Sequence, residues 1–282
     1  MRGARLPPPA PLPPRWEWAV STFLIVAAIA WVVYGWQFMP AAGDWQRYFK
    51  PASLTAVTGG DPYRIQGFYN PPWTLAPLVP FALLPDGIAH VVLLVVALAS
   101  FLYVFTRLSG DFVTAAILTM SPQVLDLLLM GNIDWLVIWA YIAPPWAAAI
   151  LALMKPQMTT GLFAYWLFKR QWRAMLPVAC LTLASLALYG LWFLRLDVIS
   201  ASWNASLWPL SVVPGLAILI LALKKDRKAW AIGVSPLFAP YIHFFSWIAA
   251  FAFIKSRWLA LAVVGVSWLY VAVLVLRATG AV

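Results

Sequence analysis

Residues 86–107 read DGIAHVVLLVVALASFLYVFTR, and the reading of this stretch decides the fold class. An unbroken apolar run lies between an Asp at one end and an Arg at the other. About 20 apolar residues, rising 1.5 Å each in a helix, cross the roughly 30 Å hydrocarbon core of a bilayer. Val91–Val104 lacks the period-two alternation that an outer-membrane barrel strand requires. The stretch therefore predicts a membrane-crossing helix. Comparable runs follow on either side, at 16–38, 112–130, 173–194, 205–223 and 258–276, with a Pro-interrupted one at 133–154. Hydrophobic residues make up 64% of the chain and charged residues 10%, against about 45–50% and about 25% in a soluble domain. The expected fold class is all-α: a polytopic helical membrane protein of about seven full spans plus short, broken or re-entrant helices.

The charges set the expected topology. The net charge of +10 is gathered in short runs between apolar segments: Lys169-Arg170 with Arg173, Lys224-Lys225-Asp226-Arg227-Lys228, and Lys255 with Arg257. Cytoplasmic loops look like this under the positive-inside rule, so nucleic acid is not an expected partner. Residues 1–15, MRGARLPPPAPLPPR, read as a disordered, Pro-rich cytoplasmic tail, and 16–282 as one transmembrane domain. Residues 39–72 form the longest polar segment and an outer loop, followed by an interfacial stretch with three prolines at 73–85. Between the basic ends Lys228 and Lys255, Pro236, Pro240 and His243 predict two half-helices that enter and leave on the same side. The protein is expected to be a multi-pass integral protein of the plasma membrane, with a cytoplasmic N-terminus and an extracytoplasmic active face. A transporter is disfavoured by the lack of an internal repeat.

Ionisable residues at membrane depth mark functional sites. Glu17, Asp86, Asp111 and Asp226 fall at expected helix ends, where charge costs little. Asp44, Asp61, Asp126 and Asp134 all fall on or near the outer face. One Cys and two His make poor zinc chemistry, and no Asp-x-Asp pair exists to hold a metal-bound sugar nucleotide, so no cofactor is expected. Cys180 reads as a small core residue and His90 as a buried, hydrogen-bonded one. Asp61, in GGDPY, is either a turn cap or a substrate contact. Asp44, just past the first span, is either an interfacial charge or a carboxylate able to meet a substrate hydroxyl. Lys155 either binds a phosphate by charge or snorkels to the interface. His243, at a Pro-broken tip, is a candidate ligand-binding group.

The order of these motifs resembles that of glycosyltransferase family 87. Carrying the resemblance are Asp44, Tyr48, Gly59-Gly60-Asp61-Pro62-Tyr63 and Tyr69-Asn70-Pro71-Pro72. Further on come Gly131-Asn132-Ile133-Asp134, Lys155-Pro156-Gln157, the basic Lys169–Arg173 segment, and Ser235-Pro236 ahead of His243. The family pattern has Gly-Gln-x-Asn where this chain has Asn132 and Asp134, and the chain is short for the family. The resemblance implies a GT-C-like membrane enzyme that moves a sugar, mannose above all, from a polyprenyl-phosphate donor to a lipid or glycan acceptor. It implies Asp44 as general base, and substrate contacts from Asp61, Tyr63, Arg64, Tyr69, Asn132, Asp134, Lys155, Gln157 and His243. Membrane lipids, and protein partners in a larger complex, complete the expected associations. The alternative is an inactive subunit of the same fold, serving as scaffold or lipid binder.

Overall fold

The computed structural model describes residues 15–35, 42–195 and 204–279. Most of the Pro-rich tail, the start of the outer loop and Asp197 lie outside these residues. Thirteen α-helices, joined by short 3₁₀ segments and one π-helical turn, make up the described chain, which contains no strand. They are α1 (Arg15–Gly35), α2 (Lys50–Val57), α3 (Val79–Ala82), α4 (Asp86–Ser109), α5 (Phe112–Thr119), α6 (Pro122–Met130) and α7 (Asp134–Val137). The second half holds α8 (Pro145–Ala152), α9 (Thr160–Phe168), α10 (Leu176–Tyr189), α11 (Val212–Lys224), α12 (Lys228–Gly233) and α13 (Arg257–Ala278). The all-α membrane fold expected from the apolar runs is the one observed.

Among the described residues, four helices are long and apolar enough to cross a bilayer: Glu17–Tyr34, Asp86–Ser109, Trp172–Tyr189 and Arg257–Arg277. The α4 span is 56% buried inside the protein, whereas the other three are 17–22% buried. The stretch that decides the fold class is thus also its central pillar, and the other three show most of their surface to lipid. The run at 112–130 forms α5 and α6 with a 64° bend between them. Pro122 explains it: the residue before a proline is driven out of the helical region, and Ser121 is extended, with φ −67° and ψ 146°, capping α6 through Val124 N. Counted as one bent span, this pair makes five. The remaining two expected spans take other forms. Residues 133–154 break at Pro144 into α7, a 3₁₀ turn and α8, and 205–223 holds the 13-residue α11.

The stretch between Lys228 and Lys255 is broken as its prolines predict. It consists of the six-residue α12, a 3₁₀ turn at Ser235–Phe238 and a ten-residue 3₁₀ helix at Phe244–Phe253. The irregular backbone here is buried among neighbours, the condition under which it is tolerated at membrane depth. Gly161 lets α9 cross α12 closely, because a Cβ there would sit 1.9 Å from the Ala231 carbonyl oxygen. The main apolar core runs through α1 and α4–α8 to the Phe244–Phe253 helix, with Trp45, Phe101, Phe105, Trp166 and Phe245 among its fully buried side chains.

Acids at helix ends are paired. Arg257 reaches Asp111 at 2.8 and 2.9 Å and Glu17 at 2.9 Å, tying the starts of α1, α5 and α13 together. Asp226 meets Lys169 at 2.9 Å and the Tyr165 hydroxyl at 2.6 Å, and Lys50 pairs with Asp86. Burial raises the Asp111 carboxyl, but the bonds from Arg257 and Thr114 outweigh it and hold it down at about 2.

Candidate active site

The site begins at the end of α6. Gly131 is left-handed, with φ +66°, and a Cβ on it would lie 2.9 Å from the β-carbons of both Ala42 and Trp45. Only glycine accepts both conditions cheaply. Ala42 N donates to the Leu129 carbonyl at 2.9 Å, which pins the start of the outer loop onto this helix end. Asn132 therefore emerges against Asp44. Asp44 precedes a single π-helical turn at Trp45–Phe49, and its side chain does not cap that turn. Its carboxylate faces the bundle instead.

A continuous chain of polar bonds follows. Asn132 Nδ2 donates to Asp44 Oδ2 at 2.6 Å, and Asn132 Oδ1 accepts from Lys155 Nζ at 2.9 Å. The amide orientation is dictated by chemistry: an ammonium only donates and an ionised carboxylate only accepts. Lys155 also donates to Asp134 and, at 3.3 Å, to Ser246 Oγ, while Ser246 donates to Asp134 Oδ2 at 2.8 Å. Asp134 is 0% exposed and Lys155 8%, so this is a buried, fully partnered ion pair. The Lys155 ammonium lies 4.7 Å over the Phe245 ring, and His243 stacks on Phe245 at 3.9 Å. Burial, and then the negative charges of Asp134 and Asp44, push the Tyr241 hydroxyl up.

Five of the ten sequence-predicted site residues are thus brought together: Asp44, Asn132, Asp134 and Lys155 in one bonded chain, and His243 stacked beside it. Lys155, which the sequence allows to bind a phosphate or to snorkel, shares the site of Asp44. Asp61, Tyr63 and Arg64 form a neighbouring patch on the outer loop. Asp61 caps a 3₁₀ turn through Tyr63 N at 3.0 Å, Arg64 is exposed, and Tyr63 stacks on Trp192 at 5.5 Å. Tyr63 donates to the Asn70 carbonyl at 3.1 Å, and Asn70 Nδ2 to the Met154 carbonyl at 2.9 Å, so this patch is anchored one residue from Lys155. Tyr69 and Gln157 are half-buried, the latter on the 3₁₀ turn Pro156–Met158. His90, 8% exposed and 3.3 Å from Gln46 Nε2, is the buried, bonded histidine expected. Sequence reasoning missed Ser246, Phe245 and Tyr241. The available signal was a lone hydroxyl within the apolar run FFSWIAAF, three residues beyond His243.

Burial pushes the Asp44 carboxyl up, and the Asn132 bond and the Lys155 charge pull only partly against it. Asp44 Oδ1 accepts no hydrogen bond among the described residues. A narrow, mainly apolar crevice between α4 and α6–α7, lined by His90, Leu93, Leu94, Leu128 and Trp135, reaches Ala42, Gly131 and Asn132.

The fold and site define an integral membrane protein in which Lys155 is linked through Asn132 to the half-buried carboxylate of Asp44. Compared with known families, the chain matches glycosyltransferase family 87 over residues 68–211, half of its length, and belongs to that family. That makes it a membrane glycosyltransferase. No curated protein and no solved structure matches it.

Proposed function

We infer that the protein moves a sugar, mannose in the leading case, from a polyprenyl phosphate to a hydroxyl of a lipid or glycan acceptor at the outer membrane face. The observation that carries this reading is Asp44: a half-buried carboxylate, held through one oxygen by Asn132 and open at the other. Asp44 Oδ1 takes the proton of the acceptor hydroxyl as that oxygen bonds to the anomeric carbon. The bond from the anomeric carbon to phosphate breaks, and its electron pair leaves with the polyprenyl phosphate. A base must come within about 2.6–3.2 Å of the oxygen whose proton it takes. Such a leaving group needs hydrogen-bond and cationic stabilisation rather than a resident metal. His243 and the exposed Arg64, with Tyr69 and Gln157, are the groups proposed to meet the donor, and Asp61 and Tyr63 to shape the outer rim. A GT-C-like architecture, plasma-membrane location and an inward N-terminus belong to the same proposal. In support of the topology, each helix-end ion pair joins residues that the charge pattern puts on one side: Glu17, Asp111 and Arg257 inside, Lys169 and Asp226 inside, Lys50 and Asp86 outside.

A second reading, a lipid-binding subunit without turnover, is favoured by one feature. The pairing of Lys155 with Asp134 commits a cation that would otherwise be available to the leaving phosphate. The test is incubation of purified protein in liposomes with polyprenyl-phosphate-mannose and membrane lipids. A mannosylated lipid product is expected; binding of the donor without any product would favour the subunit instead.

A further inference from the structure

Three donor bonds converge from Lys155 on Asp134, Asn132 and Ser246, and this arrangement does more than bury a charge. Had Lys155 met Asp44 directly, it would have formed an ion pair, which favours the ionised carboxylate and weakens it as a base. Asn132 stands between them, and Asp134 supplies the countercharge that keeps the ammonium where it is. Ser246 closes the arrangement by bonding both partners. Asn132 is held through its oxygen, which accepts from Lys155 at 2.9 Å and from the Ile133 backbone N–H at 2.7 Å, and its amide nitrogen donates to Asp44 Oδ2.

We propose that Asp134, Lys155 and Ser246 are positioning residues: acting through Asn132, they hold Asp44 with Oδ2 occupied and Oδ1 presented to the acceptor hydroxyl. This rests on the reading of Asp44 as the base and adds a role for three residues that do not touch the reacting atoms. The departure of this chain from the Gly-Gln-x-Asn pattern then has a function. Asp134 is the countercharge that an amide at that position would not supply, and it comes paired with a lysine placed to use it.

The charges facing Asp44 are Lys155 and Arg47, which favour its ionised form, and Asp134 and Asp126, which oppose it; Tyr241 lies nearby and His243 faces Lys155. Two single substitutions therefore act in opposite directions. Lys155→Met removes a cation, so Asp44 holds its proton to higher pH. Asp134→Asn removes an anion and frees the ammonium toward Asp44, so the proton is lost at lower pH. The measurement is labelling of full-length protein in liposomes by dicyclohexylcarbodiimide, which reacts with protonated carboxyls, read at the Asp44 peptide by mass spectrometry across pH. The labelling midpoint is expected to move up by about one pH unit in Lys155→Met and down by a similar amount in Asp134→Asn, the scale typical of a neighbouring charge. The double variant keeps the net charge of the site and guards against misfolding of the singles. Its midpoint is expected near the wild-type value, while sugar transfer falls through kcat with KM held. Midpoints that move together or not at all, or an Asp44 that never labels, overturn the proposal. Because labelling needs no turnover, both shifts in the variants, together with a wild type that transfers no sugar, keep the positioning chain and remove the transferase reading.

Discussion

Asp44 is the residue on which the chemistry turns, and its environment makes a directional prediction. Burial raises its carboxyl above the ordinary carboxylate value. A general base works only when deprotonated, so activity is lost as pH falls through the Asp44 value, and this acidic limb lies higher than an ordinary carboxylate would place it; a rate–pH profile checks this. Lys155 and Asp134 are coupled differently. Removing one partner of a buried ion pair strands the other and costs about 3–5 kcal/mol, whereas replacing both by apolar groups of similar volume is often nearly neutral. Thermal unfolding in detergent should therefore show Lys155→Met and Asp134→Leu each strongly destabilised and the double variant much less so. Asp44, Asp134, Lys155 and His243 were legible as candidates because polar groups in so apolar a chain are few, and Asn132 came with the family resemblance. Their connections were not legible. Whether Lys155 met phosphate, water or a carboxylate depended on Asn132 and Ser246, residues with no titratable signature of their own.

At the scale of elements, breaks matter as much as helices. Gly131 ends α6 in a left-handed turn pressed against Ala42 and Trp45. Gly131→Ala adds a Cβ at 2.9 Å and a conformation that costs an L-residue about 1–2 kcal/mol. It is expected to lower the melting temperature and, by moving Asn132, to cut sugar transfer further than the stability loss explains. Gly161→Val should part α9 from α12 in the same way, its Cβ meeting the Ala231 carbonyl. Prolines made such breaks readable in advance: Pro144-Pro145 parts α7 from α8, and the Pro236–Pro240 region separates α12 from the Phe244 helix. The 64° bend between α5 and α6 was missed, because one Ser-Pro inside a 19-residue apolar run keeps the hydropathy of a continuous span. Hydropathy records what a segment prefers to touch, not whether its backbone runs straight.

The whole molecule is held together at its faces by ion pairs and in its centre by α4. Asp111 is held at about 2 against an ordinary value of 3.8 by Arg257 and Thr114. A depressed carboxyl contributes stability that is complete above its unfolded value and lost as pH falls through its folded one. The link between α1, α5 and α13 should therefore weaken between about pH 4 and about pH 2, seen as a falling melting temperature over that window. The topology has its own test. With Cys180 replaced by Ala, an impermeant maleimide should label Gly59→Cys from outside intact cells and reach Lys225→Cys only after the membrane is opened. The fold class could be read from one apolar run. The meeting of residues 44, 132, 155 and 246 could not, because they come from four separate segments whose packing no local pattern encodes. The most direct test of the account compares wild type with Asp44→Asn for transfer of radiolabelled mannose from polyprenyl phosphate to membrane lipid in liposomes. The account predicts transfer by the wild type and a loss of at least about 100-fold in the variant, with donor binding and melting temperature retained. Equal transfer by the two proteins would contradict it.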